Sequence, residues 1–161
     1  MTYARDTAIL TTPIGSVRIE GDDDAIAAIR ILTERETPRR ADSPAVIAAA
    51  EQLEAWFEGA LQRFELALAP PPTPRGLALR QGLIDVGYGE TVTYGILAQR
   101  LGSASRAIGQ LCSRNPFPIV VPCHRVLSSS GGPEHYSAGE GPKTKSWLLD
   151  HERRFSGKTL L

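Results

Sequence analysis

Apolar and polar positions alternate along the start of this chain and then change period. Ala8-Ile9-Leu10-Thr11-Thr12 and Ser16-Val17-Arg18-Ile19-Glu20 are short runs separated by Pro13-Ile14-Gly15, and both read as strands. Ile26 to Leu32, after the acidic turn Asp22-Asp23-Asp24, reads as a third, so a small antiparallel sheet is expected. Ser43 then offers a helix cap and Pro44 the favoured first-turn proline. Beyond them Val46, Leu53, Trp56, Phe57 and Ala60 recur at helical spacing, the face a helix packs on a sheet rather than a ligand surface.

Pro70-Pro71-Pro72-Thr73-Pro74 interrupts the pattern. Proline lacks an amide donor and fixes φ, so this tract is the candidate linker between an N-terminal α/β domain, residues 1–70, and a second domain, residues 71–161. In the second part Leu77 to Val86 reads as a helix and Tyr88-Gly89-Glu90 as a turn. Thr93 can cap a helix over Tyr94–Leu101, ended by Gly102, and Ser103 or Ser105 can cap another running to Arg114. Two short helices joined at Gly102-Ser103 make a helix-turn-helix, a pattern that serves packing more often than DNA binding. A last helix over about Lys143 to Arg154 places Trp147 and His151 on one face and Leu148 and Glu152 on the neighbouring one.

The 161 residues suit one domain or two small ones; hydrophobic content of 42% and charged content of 22% are ordinary for a soluble protein. No apolar run approaches the roughly 18 residues a membrane span needs, and the start Met1-Thr2-Tyr3-Ala4-Arg5-Asp6 lacks the apolar stretch of a signal peptide, so an intracellular, cytoplasmic protein is expected. The net charge of zero conceals an asymmetry: residues 1–70 hold 7 Lys/Arg against 12 Asp/Glu, and residues 71–161 hold 11 against 6. A basic second half fits contact with phosphates, although a surplus this small also arises by chance. Two cysteines are too few for a disulfide framework, and three histidines without a clustered Cys/His pair argue against a four-ligand zinc site, so no metal is expected. Cys112, within a helix beside Ile108 and Leu111, reads as a buried, inert thiol.

The chemistry concentrates in Asn115-Pro116-Phe117-Pro118-Ile119-Val120-Val121-Pro122-Cys123-His124-Arg125-Val126. A cysteine buried only for packing needs no cationic neighbour. One that must react as a thiolate gains from His124 and Arg125, because nearby positive charge lowers the thiol pKa. In extended backbone successive side chains point to opposite faces, so contact between Cys123 and His124 would run through a turn or a bridging water. By itself His124 could be a packed or surface histidine, Glu152 a solvated helix residue, and Arg125 either a buried ion-pair partner or a local stabiliser of the thiolate.

This run resembles the active-site signature of the O6-alkylguanine-DNA alkyltransferases, the methylated-DNA-protein-cysteine methyltransferases. The resemblance continues through Gly89-Glu90-Thr91-Val92-Thr93-Tyr94-Gly95, Ser105-Arg106-Ala107-Ile108-Gly109 and Lys145-Ser146-Trp147-Leu148-Leu149-Asp150-His151-Glu152, and is much weaker before residue 86. It implies an α+β fold: a small, ribonuclease H-like N-terminal antiparallel sheet with a helix, then a mainly helical C-terminal domain with a winged helix-turn-helix for DNA binding and alkyl transfer. It implies single-turnover repair in which an alkyl group moves irreversibly from guanine O6 to Cys123, with no cofactor.

Under that resemblance His124 relays the thiol proton through water and Glu152 orients it, while Asn115 ties the active-site turn together. Tyr94 and Lys145 meet the flipped nucleotide and the charge developing on guanine. Tyr136 and Ser137, with Pro122, line the base pocket, although Tyr136 could equally stack on the guanine or cover the core. Arg106 enters the duplex from the minor groove, with Ala107, Gly109 and Ser113 also at the DNA face, because a guanine inside a duplex hides its O6 group and must be rotated out. The expected partner is double-stranded DNA containing O6-alkylguanine, bound by a monomer with no membrane association, near the nucleoid in a bacterium or in the nucleus of a eukaryote. The chain departs from the family pattern in a shorter stretch between Tyr94 and Arg106, a longer one over Glu140–Thr144, and Arg75-Gly76 and Leu79-Arg80 in place of the usual pairs. Two other readings stand beside the transferase: a non-catalytic lesion-binding protein, whose known kind lacks the reactive cysteine, and a Cys-His hydrolase unrelated to DNA.

Overall fold

The computed structural model describes residues 5–132 and 135–157, and the chain separates into two compact units on either side of Ala69 and Pro70. In the first, β1 (Asp6–Thr12) and β2 (Gly15–Gly21) form an antiparallel hairpin in the register Ala8↔Ile19 and Leu10↔Val17, and β3 (Ile26–Ile31) adds to β2 with Ile19↔Ile29. Each turn is fixed by a side chain. Thr12 Oγ1 accepts from the Ile14 amide and donates to the Gly15 carbonyl, and Asp22 Oδ1 accepts from the amides of Asp24 and Ala25.

Ala8, Leu10, Val17, Ile19, Ile26, Ile29 and Ile31 are buried, and helix α1 (Pro44–Phe57) packs on the sheet through Val46, Ala49, Leu53 and Trp56, all 0% exposed. Ser43 is the N-cap as expected, but its side chain makes no cap bond; its amide donates to Asp6 Oδ2 instead. The stripe ends sooner than the spacing suggests. Phe57 is half-buried, edge-on to Trp56, and Ala60 lies exposed beyond the helix end.

The second unit begins inside the proline tract. Thr73 Oγ1 accepts the Gly76 amide and Pro74 takes the first turn of α2 (Pro74–Ile84), so the helix expected from Leu77 starts earlier: a proline at that position sacrifices no intrahelical bond. Arg80, in one of the unusual pairs, is buried over the Phe117 ring at 5.2 Å. Thr93 caps α3 (Tyr94–Arg100) through a bond from the Ile96 amide, as its sequence position suggested. A turn through Gly102 leads to α4 (Ser105–Ser113), whose N-cap is Ala104. Neither Ser103 nor Ser105 caps it; Ser105 is already the first helical residue.

Short parallel strands β4 (Val92–Thr93) and β5 (Val126–Leu127) pair on either side of this helix pair in sequence, and α5 (Pro142–Phe155) buries Leu148, His151 and Glu152, with Trp147 stacked on His151 at 5.0 Å. Gly89, at φ +76°, lets the turn before β4 close on the end of α5: a Cβ there would lie 2.7 Å from that of Ser156. The result, among the described residues, is an α+β fold with one small antiparallel sheet and five α-helices.

Candidate active site

Residues 117–126 are buried throughout, an unusual environment for irregular backbone, and a single side chain organises them. Asn115 Oδ1 accepts the Phe117 amide at 2.9 Å, and its Nδ2 donates to the Val121 carbonyl at 2.9 Å and to Cys123 Sγ at 3.3 Å. Ile119 holds a positive φ of 76° within this turn, a strained conformation for a β-branched residue. Cys123–Arg125 then form one turn of 3-10 helix rather than extended chain, so Cys123 and His124 are not on opposite strand faces.

Around that turn the side chains separate by role. His124 Nε2 lies 2.8 Å from Glu152 Oε2, and Arg125 donates to the same carboxylate from Nε at 2.9 Å and Nη2 at 2.7 Å. Arg125 Nη1 also donates to the Val86 carbonyl at 2.6 Å, and the Gly89 amide donates to Glu152 Oε1 at 3.4 Å. Arg125 is therefore a buried ion-pair partner, which resolves the choice its sequence position left open. Burial alone would raise the Glu152 carboxyl, but the charge and hydrogen bonds of His124 and Arg125 outweigh it and hold it down at about 2. Burial lowers His124 below its usual value, Glu152 opposing and Arg125 and Lys145 assisting. A neutral His124 that donates from Nε2 to an anionic Glu152 keeps Nδ1 as its basic nitrogen.

The cationic neighbours do not depress the cysteine as the sequence suggested. Burial pushes the Cys123 thiol well above its usual value, the Cys112 thiol raises it further by hydrogen bonding and charge, and Asn115 and Lys145 pull it back only in part. The reason is geometric: Arg125 is committed to Glu152. The resting group is a protonated thiol that needs a base when it reacts.

Tyr94, Gly109, Cys112, Ser113, His135, Tyr136 and Ser137 line a cavity of about 290 Å³, close to the lower end of the ~300–1,000 Å³ usual for ligand sites. Cys123, 3% exposed, and the buried Pro122 are not in its lining; Cys112, which the sequence read as a buried thiol, is half-buried and lines it. Its i, i+3 relation to Gly109 was the available signal. Lys145 is fully buried, its Nζ donating to the Val126 and His135 carbonyls and lying 5.9 and 6.0 Å from the ring centres of Tyr94 and Tyr136. Burial pushes Tyr94 up to about 12, the two cysteines adding to the effect, and raises Tyr136 strongly, so both phenols stay protonated donors at neutral pH. Tyr136 Oη is buried without a hydrogen-bond partner among the described residues. Arg106 and Ser113 are exposed and Ala107 half-buried on α4; no atom of the described residues stands within 4 Å of where a Gly109 side chain would begin. A larger depression of about 640 Å³ lies in the first unit, lined by residues from β1, Pro38–Arg40 and the end of α1, with neither cysteine nor histidine in its lining.

Fold and site together define an α+β protein built around a buried thiol, a histidine–glutamate–arginine array and a small phenol-lined cavity. Residues 78–154 match the family described as 6-O-methylguanine DNA methyltransferase, DNA binding domain. The chain is 36% identical over 139 residues to the methylated-DNA–protein-cysteine methyltransferase of Methanosarcina acetivorans, spanning 82% of this chain and 89% of that one. The crystal structure of Mycobacterium tuberculosis O6-methylguanine methyltransferase superposes with a TM-score of 0.79 at 30% identity over 94% of each chain, and that of the same species' OGT in complex with DNA with 0.77 at 31% identity over 91% of this chain and 92% of that one. Identity at this level, sustained over both units, makes the chain a member of the methylated-DNA–protein-cysteine methyltransferase family.

Proposed function

We propose that this protein repairs DNA by moving an alkyl group from the O6 of guanine to Cys123, once per molecule and without a cofactor. The observation that carries the reading is the Cys123 sulfur held by Asn115 in the turn that sends His124 and Arg125 onto the buried Glu152, together with a cavity lined by Tyr94 and Tyr136. In the reaction the Cys123 sulfur forms a bond to the alkyl carbon as the bond from that carbon to O6 breaks. The thiol proton passes to His124 Nδ1 through water, with Glu152 stabilising the imidazolium, and Tyr94 and Lys145 donate hydrogen bonds to the leaving guanine. A buried Tyr136 hydroxyl with no partner among the described residues costs about 1–3 kcal/mol, a cost that a base accepting its hydrogen bond would relieve. Alkyl carbon is not readily displaced from a thioether, so the product is permanent.

The helix pair α3–α4 with β4 and β5 is read here as a winged helix-turn-helix that meets the minor groove, and the first unit as a ribonuclease H-like domain. Arg106, exposed on the first turn of α4, would fill the gap left by the rotated base, while the open surface at Gly109 and the neighbouring Ala107 and Ser113 allow close approach of the backbone. Residues 71–161 are thus the DNA-binding and alkyl-transfer part, acting as a monomer in the compartment that holds the DNA.

Incubation of the reduced protein with a duplex containing O6-methylguanine should add one methyl group to the Cys123 peptide and never more than one per chain. Cys123→Ala should abolish transfer and retain lesion binding. Binding by the unaltered protein with no gain in mass would indicate a lesion sensor instead, and transfer that survived the substitution would mean that another residue is the nucleophile.

A further inference from the structure

The turn between α2 and β4 has no part in the alkyl transfer just described, yet Val86, Tyr88 and Gly89 all meet the buried charges of Arg125 and Glu152. The Val86 carbonyl accepts from Arg125 Nη1 at 2.6 Å, and the Gly89 amide donates to Glu152 Oε1 at 3.4 Å. The half-buried Tyr88 sets its ring under the Arg125 guanidinium, whose carbon lies 5.7 Å from the ring centre. A guanidinium makes hydrogen bonds only in its own plane. Arg125 commits that plane to Glu152, through Nε and Nη2, and to Val86, so a ring over its face adds attraction without competing for a donor. Gly89, at φ +76°, closes the turn against the end of α5, which brings ring and amide to one ion pair. Burial pushes the Tyr88 phenol up to about 12, Glu152 adding to the effect, so the ring beside the guanidinium is neutral.

We propose that Tyr88 is a positioning residue for alkyl transfer: its ring holds the Arg125 guanidinium in the orientation that fixes Glu152 against His124 Nε2, and so reserves His124 Nδ1 for the thiol proton. His124 faces Glu152 and Lys145 from α5 and Arg125 from its own turn, and of these charges Glu152 alone favours the imidazolium. Without the ring, water reaches the face of the guanidinium and screens its hold on Glu152. The carboxylate is then released to rotate, and His124 is no longer confined to the tautomer with its proton on Nε2. An imidazole with its proton on Nδ1 presents a donor on the side where a base is needed.

The effect on repair rests on the proposed alkyl transfer to Cys123; the histidine tautomer does not. Proton–nitrogen correlation spectra of the full chain labelled at histidine, with His124 assigned by the signals lost in His124→Gln, report which ring nitrogen carries the proton. At neutral pH the unaltered protein should show His124 protonated at Nε2. Tyr88→Leu should show both tautomers and slow methyl transfer by about tenfold or more, whereas Tyr88→Phe should keep the single tautomer and a rate within about twofold. A merely weakened fold lowers the folded fraction but leaves the tautomer of the folded molecules as it was. Phenylalanines carrying progressively more ring fluorines at position 88 keep the shape of the ring and drain its negative face, so the rate should fall in step with fluorination. That series carries the test should Tyr88→Leu not fold. An unchanged tautomer in Tyr88→Leu, a loss in Tyr88→Phe as large as in Tyr88→Leu, or rates indifferent to fluorination would overturn the proposal. Mixed tautomers in Tyr88→Leu beside an unaltered protein that transfers nothing would uphold the positioning and overturn only the alkyl-transfer reading.

Discussion

At position 152 one carboxylate accepts hydrogen bonds from Arg125 through two nitrogens, from the Gly89 amide and from His124. Glu152→Gln keeps its size but removes its charge, leaving the guanidinium of Arg125, 6% exposed, without a counter-ion. Breaking such a buried pair costs about 3–5 kcal/mol, so the urea midpoint of the unit that contains it should fall accordingly; a loss below about 1 kcal/mol would mean the pair behaves like a surface one. Transfer should slow as well, since His124 loses the anion that fixes its tautomer. Single residues were unevenly legible. The family signature pointed to Cys123, His124, Asn115 and Glu152, and the structure brings these four together. It could not tell that Arg125 would be spent on Glu152, because the distance between residues 125 and 152 is a property of the fold, nor that burial would outweigh charge at the thiol. Cys112 is less buried than expected for a related reason: helical spacing says which residues share a face, not whether that face meets a core or a cavity.

Among the elements, α4 connects the site to a surface, since Arg106 lies exposed near its start and Cys112 lines the cavity near its end. Rotating a base out of a duplex costs a few kcal/mol, whereas a free base presents no such barrier. Arg106→Ala should therefore slow repair of duplex O6-methylguanine by about tenfold or more, and change reaction with free O6-benzylguanine by less than about twofold. Equal losses on the two substrates would assign Arg106 to the fold or to the chemistry rather than to the duplex. Element boundaries were readable where one residue's local chemistry decides them. Thr93 caps α3 with its own hydroxyl, and Pro44 opens α1 because a first-turn proline gives up nothing. The start of α4 was misjudged, since Ala104 serves as its N-cap although a serine lies on each side; at α1 the boundary held, but Ser43 directs its amide to Asp6 and makes no side-chain cap bond. The tract at residues 70–74 was read as linker throughout, yet Pro74 is helical, because proline forbids only later turns.

Across the whole molecule, the acid-sensitive buried groups belong to one unit. Among the described residues of the first unit the interior is Gly, Ala, Val, Leu, Ile and Trp with one buried serine, and the Arg18–Glu36 ion pair is 31% and 35% exposed, where water screens it. Asp6 is held below its usual range, chiefly by the Ser43 amide, but at the surface. The second unit buries His124 and Glu152, both with folded pKa values below their ordinary ones. For each, the unfolded chain binds a proton more readily than the folded one, so each contributes stability at higher pH that is lost on acidification. The loss starts as pH falls through 6.5, where an unfolded His124 charges, and continues from 4.5 toward about 2 as an unfolded Glu152 takes up its proton. For Glu152 the shift corresponds to about 3 kcal/mol when complete. Amide hydrogen exchange followed by mass spectrometry at pH 7.5 and pH 3.5, corrected for intrinsic rates, should show protection falling steeply in α5 and residues 123–127 and changing little in β1–β3 and α1. Parallel losses in both units would mean that the acid response lies outside the His124–Glu152 pair, and the buried array would then lose its claim to hold a neutral imidazole against an ionised carboxylate.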